Sequence, residues 1–258
     1  MLLTADYHTH TPYSHGKGTV LENAIRAKEI GLEQIGITDH GFSHVIFGVR
    51  RRQVEKLLSE CREAEEKTGI RVILGMENNI RGRSGNVDLT ERDFEQFDLF
   101  LCGMHLVIYY SSVYDAFQLG AANYLRTQLK MKPTKRLLRD TTNAYINAVK
   151  NHPIDVLTHL NYLCFADAVE VAKCCRDYGT YLEISGKKTH LTDEELYQVA
   201  QTGVRFVVNS DAHSVDRIGD IALAKAQIDR VGIPYTQIDN IDGRLPVFRL
   251  QEYKKRNL

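Results

Sequence analysis

A short apolar run that leads into a histidine or an acid, followed by a stretch of helical spacing, recurs along the whole of this chain. The spacing predicts strands at 3–7, 34–38, 70–76, 98–103, 154–158, 180–184 and 204–208; four run directly into His, Asp or Glu and two more reach one within three residues. Between them, Val20–Gly31, Gln53–Lys67, Ala166–Tyr178, Thr192–Gln201 and Arg217–Val231 read as helices, with Gly31 and Gly69 as stops. Seven such units predict an α/β fold, a parallel (β/α) barrel rather than an open sheet, and 258 residues is the right size for one. In such a barrel the loops at the C-terminal ends of the strands build the active site. Polar residues there therefore read as chemistry rather than stability.

Collected strand by strand, those residues are His8, His10, His15, His40, Glu77, His105, His159, Asp211 and His213. In an extended segment residues two apart share a face, so His8 and His10 aim at one point just past the first strand. Neutral imidazole is the commonest protein ligand for zinc-like ions. Seven histidines and two carboxylates are too many for one tetrahedral ion, and suit two or three clustered divalent ions with a carboxylate bridging a pair. The mixed nitrogen and oxygen set favours zinc, manganese or iron over magnesium or calcium. A cluster of this kind brings the pKa of a shared water toward neutrality and offsets charge on phosphoryl oxygens. Asp39 neighbours His40 but points the other way in an extended segment, so it reads as a supporting partner or turn residue.

The longest interval without a strand lies between His105 and His159. It holds two expected helices, Phe117–Leu129 and Thr134–Lys150, and a basic run with Lys130, Lys132, Lys135, Arg136 and Arg139. We read residues 106–152 as an insertion on the active-site side of a single domain spanning 1–258. It is either a lid whose cations meet an anionic substrate or an ordinary solvated helical pair. Candidate substrate contacts are Lys187 and Lys188 after the sixth strand, Arg81 and Arg83 after Glu77, and Arg50 at the head of an arginine run. His44, His152 and His190 read as surface or turn residues, with His44, after Gly41-Phe42-Ser43, also placed to border the substrate pocket; Tyr109 and Tyr110 read as packing under the insertion.

Composition narrows the function classes. The 33 basic and 33 acidic residues cancel, which argues against a dedicated nucleic-acid binder. No apolar run is long enough to span a membrane, and the N-terminus lacks a secretory pattern, so a cytoplasmic protein without a membrane partner is expected. Five irregularly spaced cysteines read as free thiols. No glycine-rich nucleotide loop follows any strand.

The runs H-T-H (8–10), T-D-H (38–40), G-M-E (75–77), G-M-H (103–105), T-H (158–159) and S-D-A-H (210–213) resemble, in order, the successive motifs of the PHP (polymerase and histidinol phosphatase) family. The resemblance covers residues 6 to about 220 and is closest to the stand-alone bacterial phosphatases. It implies a distorted, TIM-like (β/α)7 barrel with a trinuclear metal centre. It further implies that His8, His10, Glu77 and Asp211 hold one ion and that Glu77 bridges to a second completed by His105 and His159. His15, His40 and His213 would hold the third. The expected reaction is in-line attack by metal-bound hydroxide on a small phosphate ester, with Asp211, Glu77 and His213 closest to the chemistry. Histidinol phosphate is one specific candidate substrate, and a metal-dependent nuclease acting on nucleic-acid ends is the alternative.

Overall fold

The computed structural model describes residues 1–257. Its seven parallel strands follow one another in chain order: β1 (Ala5–Thr9), β2 (Gln34–Ile37), β3 (Arg71–Asn79), β4 (Leu99–Gly103), β5 (Val156–Leu157), β6 (Tyr181–Ser185) and β7 (Phe206–Asn209). They form a nearly closed barrel. The seam between β7 and β1 is drawn together by the Tyr7 N–H donating to Asn209 Oδ1 at 3.0 Å and the His10 N–H donating to the Ala212 carbonyl at 2.9 Å.

The helices are α1 (Val20–Glu29), α2 (Val54–Thr68), α3 (Val113–Asp115), α4 (Asn123–Gln128), α5 (Lys135–Asn151), α6 (Ala168–Tyr178), α7 (Asp193–Gln201), α8 (Ala222–Val231) and α9 (Arg249–Asn257). Their ends are written locally. Thr19 and Thr192 open α1 and α7 with reciprocal bonds to Glu22 and Glu195. Gly69 and Gly179 close α2 and α6 in the left-handed conformation, where a side chain would be strained. In the interval between β4 and β5, a π-helical turn over Ala116–Ala122 joins α3 to α4. The following α5 buries Ala144, Tyr145, Ala148 and Val149 in the main core and packs beside α6, as an outer helix of the barrel does.

Two apolar layers fix where the site must lie. Outside the strands, one continuous core fills the space under the helices. Inside, Ala5, Tyr7, Ile73, Leu101, Val207 and Phe248 plug the lower half, with Tyr7 meeting Phe248 edge-on at 5.0 Å between ring centres. Above that plug the same inward rows turn polar: Ile73 gives way to Glu77, Tyr181 to Glu183 and Val207 to Asn209. Polar groups cannot be left unpaired in such a position without cost. The upper half of the barrel is therefore a place for hydrogen-bond networks or ligands.

Candidate metal centre

Strand β1 delivers its histidines by a break in register. Pairing with β2 shifts between Asp6 and Thr9, so Tyr7 faces the apolar plug while His8 reaches Glu183 across the barrel. Asp6 holds this irregular stretch by accepting from the backbone N–H groups of His8, Ser210 and Gly219. The turn after His10 closes so tightly that a Cβ on Gly16 would lie 2.3 Å from the His10 carbonyl oxygen. Asp39 accepts from the Thr11 N–H and hydroxyl and from Ser14, and so braces that turn without facing the cluster.

At the top of the barrel Glu77 lies at the centre. Its Oε1 is 2.6 Å from His159 Nε2, 3.2 Å from His105 Nε2 and 3.3 Å from His8 Nε2. Its Oε2 is 2.8 Å from His40 Nδ1 and 3.7 Å from His10 Nε2. Asp211 Oδ1 stands 3.4 Å from His10 Nε2 and 3.3 Å from His213 Nδ1. Two of these side chains are aimed by left-handed backbone, His159 at φ 29° and Asp211 at φ 50°. That conformation costs roughly 1–2 kcal/mol for a residue with a Cβ, and strain of this kind gathers at functional sites.

The side chains fit divalent ions on their own account. His8 Nε2 and His10 Nε2 are buried without a well-aligned hydrogen bond, as are His40 Nδ1 and Glu77 Oε2 although they lie 2.8 Å apart. Each buried polar atom left unsatisfied costs about 1–3 kcal/mol, so a cluster of them calls for a ligand. Four overlapping groups have donor atoms within 4.8 Å of one another: His8, His10, Asp211; His8, Glu77, His159; His40, Glu77, His105; and His10, His40, His213.

This grouping departs from the expected one in two ways. His105 and His159 fall in different groups, because His40 rather than His159 shares Glu77 with His105. His15, expected with His40 and His213, belongs to none of these groups among the described residues. It is exposed and lies flat against His40 and Phe47, at 4.8 and 4.6 Å between ring centres. His10 takes its place.

Burial and charge set the protonation states. Burial lowers His40 to about 3 and His15 to about 4, leaving both neutral and able to donate a lone pair near pH 7. Burial opposes charge on His8 as well, but the Glu183, Glu77 and Asp211 carboxylates outweigh it and raise its pKa well above the usual value. Burial likewise opposes ionisation of Glu77, yet His105, His8 and His40 hold its carboxyl well below the usual range. Asp211 is held low in the same way, burial being outweighed by His8, His10 and Lys187.

The cluster floors a cavity of about 430 Å³, a size suited to a small ligand. Lys187 and Lys188 line it, Lys187 with its ammonium 3.2 Å from Asp211 Oδ2. Arg81 and Arg50 do not. The Arg81 guanidinium donates to the Tyr109 carbonyl at 2.9 Å, and Arg50 is exposed at the head of a short 3-10 turn, outside the cavity lining. Arg83 is likewise committed, to Asp115 and the Tyr114 ring. The lid reading of the basic run fails too. Arg136 and Arg139 pair with Asp140, and none of the cations between Lys130 and Arg139 lines the cavity.

Two wall residues escaped sequence reasoning: His190, expected as a surface or turn residue, and Tyr162 line the cavity, together with His44. Loop packing puts them there, and no spacing in the chain signals it. Glu183 was missed as well. It accepts from His8 Nδ1 at 2.8 Å, from the His159 N–H at 3.0 Å and from Asn209 Nδ2 at 2.9 Å. An acid alternating with Leu182 and Ile184 inside an apolar strand was its only signal.

A seven-stranded parallel barrel whose imidazoles and carboxylates converge at one rim is a scaffold for gathering metal ligands at the C-terminal strand ends. The chain belongs to the PHP family, whose PHP domain model matches residues 6–192. It is 28% identical over 254 residues to a protein of Vibrio campbellii named "probable phosphatase", covering 92% of this chain and 88% of that one. A second "probable phosphatase", from Thermoanaerobacter sp., is 28% identical over 271 residues and covers 99% and 96%. Among solved structures the fold matches histidinol phosphate phosphatase of Lactococcus lactis, complexed with zinc, L-histidinol and phosphate. That match has a TM-score of 0.60 at 16% identity and covers 91% of this chain and 95% of the other. No helix among the described residues is long and apolar enough to cross a membrane.

Proposed function

We propose that this chain is a metal-dependent phosphoesterase that hydrolyses a small phosphomonoester. The observation that carries the reading is the convergence of buried imidazole nitrogens on Glu77 and Asp211 beneath a cavity of ligand size. Membership of the PHP family and the "probable phosphatase" relatives support it. Two or three ions of zinc, manganese or iron suit the overlapping groups and their nitrogen and oxygen donors.

Divalent ions held here would supply Lewis acidity, lowering the pKa of water and offsetting charge on phosphoryl oxygens. The rest falls to the chain's own residues. Glu77 turns one oxygen to His8, His105 and His159 and the other to His40 and His10, and so joins the groups into one unit. Glu183 accepts a hydrogen bond from His8 Nδ1 and so turns Nε2 of that ring toward the cluster. Lys187 holds positive charge beside Asp211 at the edge of the floor, where phosphoryl oxygens would enter. Asp211 stands between His10, His213 and Lys187 as a ligand and charge partner. The nuclease alternative gains nothing, since the basic run lies outside the cavity.

Protein supplied with zinc, manganese or iron should release phosphate from a generic aryl phosphate, and His10→Ala should reduce the rate to background. Phosphate release by His10→Ala at the parent rate, or none from the parent protein with any of the three metals, would refute the reading.

A further inference from the structure

The cavity is graded by charge from floor to mouth. Among the described residues the only acids lining it are Glu77 and Asp211, and both are enclosed by the imidazoles of the floor. Lys187 belongs to that floor through its contact with Asp211. Lys188, one residue further out, lines both the main cavity and a small cleft beside it, and it forms no ion pair among the described residues. The other acid near it, Glu183, is already bonded to His8, Asn209 and the His159 N–H. On another part of the wall, the Phe47 N–H donates to His44 Nδ1 at 3.1 Å. The neutral His44 ring therefore carries its proton on Nε2, as a hydrogen-bond donor. The wall above the floor thus offers an unpaired ammonium and an imidazole N–H, and no carboxylate.

We propose that the preferred substrate is a phosphomonoester whose leaving alcohol carries a second negative charge, held by Lys188. This substrate class rests on the phosphoesterase reading above. An alcohol bearing a carboxylate or a second phosphate meets complementary charge at the wall, whereas one bearing an ammonium meets Lys188 and finds no acid to pair with. L-Histidinol, an amino alcohol, falls in the disfavoured class.

Three two-carbon esters isolate the charge: phosphoglycolate with a carboxylate, ethylene glycol monophosphate with a hydroxyl, and phosphoethanolamine with an ammonium. Their dissociation constants are measured by calorimetry on zinc-loaded protein, which needs no turnover. Phosphoglycolate should bind about tenfold more tightly than the neutral ester, as a charge-assisted bond allows, and phosphoethanolamine more weakly than either. Lys188→Gln, at an exposed position, should bring phosphoglycolate to the level of the neutral ester while leaving the neutral ester within about twofold. Three outcomes overturn the proposal: phosphoethanolamine binding as tightly as phosphoglycolate, no binding of any ester, or an equal loss for all three in Lys188→Gln. The last would mean that Lys188 serves the reacting phosphate. Aryl phosphate turnover by the same preparation tests the phosphoesterase reading separately. Turnover without the charge order removes only the substrate class, and the charge order without turnover removes only the reaction.

Discussion

Glu183 touches no cavity space that a phosphate would occupy, yet it orients the His8 ring, anchors the His159 backbone and ties both to β7 through Asn209. Carboxylates behind ligating histidines commonly govern affinity. Glu183→Gln should therefore weaken zinc binding by about 10- to 100-fold, read by competition with a chromogenic chelator; unchanged affinity would show that the His8 contact is incidental. Gly103 acts by what it lacks. A Cβ there would lie 2.4 Å from Thr158 Oγ1 and 2.7 Å from the His159 ring. Gly103→Ala should displace that ring and cost about 1–3 kcal/mol in denaturant unfolding, together with a loss of zinc affinity. At this scale the sequence was legible where a strand ran out into a polar residue, as at His40 or His105. It was silent on Glu183, which alternates with apolar residues within a strand, and on His190 and Tyr162, which only the packing of loops brings to the cavity.

Among the elements, β5 is the least self-sufficient, two residues long and held largely by side chains. Asp155 just before it accepts from the Phe100 N–H of β4 at 2.7 Å and the Leu250 N–H of α9 at 2.9 Å. Arg249 donates to the Val149 and Ile154 carbonyls and to Thr180, so the start of α9 clamps the strand from below. Burial pushes the Asp155 carboxyl from 3.8 up to about 7 against the pull of these bonds. Between those values the unfolded chain has released a proton that the folded chain retains. Stability therefore falls as pH rises from about 4 to about 7, by about 4 kcal/mol for this group alone. Parallel denaturant titrations of the parent and Asp155→Asn should show the parent losing stability relative to the variant across that window. Parallel curves would contradict the shift. The strands and most helices were readable from periodicity. The short charged helix α9 was not, because only Leu250 of its nine residues is buried. The basic run after α4 suggested a lid because composition records charge but not its partners.

For the whole molecule, the ions and the fold should be linked. A barrel that gathers buried nitrogens at its rim is penalised without a ligand and stabilised with one. Zinc at one hundred times its dissociation constant should add about 2.7 kcal/mol, about 5–10 °C in Tm for a chain of this size. A chelator should reverse the gain, and His10→Ala, which removes a member of two of the four groups, should reduce it. The barrel itself was the most legible feature of all, since seven strands in chain order leave little topological choice. The division of ligands was not, because His15 lines the cavity with its ring 4.1 Å from that of His213, yet its donor atoms join none of the close groups among the described residues.

The most direct test is anomalous diffraction from crystals grown with zinc, recorded on both sides of the metal edge. Two or three peaks are expected inside the ring of His8, His10, His40, Glu77, His105, His159, Asp211 and His213, with nitrogen and oxygen donors at about 2.0–2.2 Å. Absence of peaks there, or peaks only at the surface, would contradict the account at its foundation.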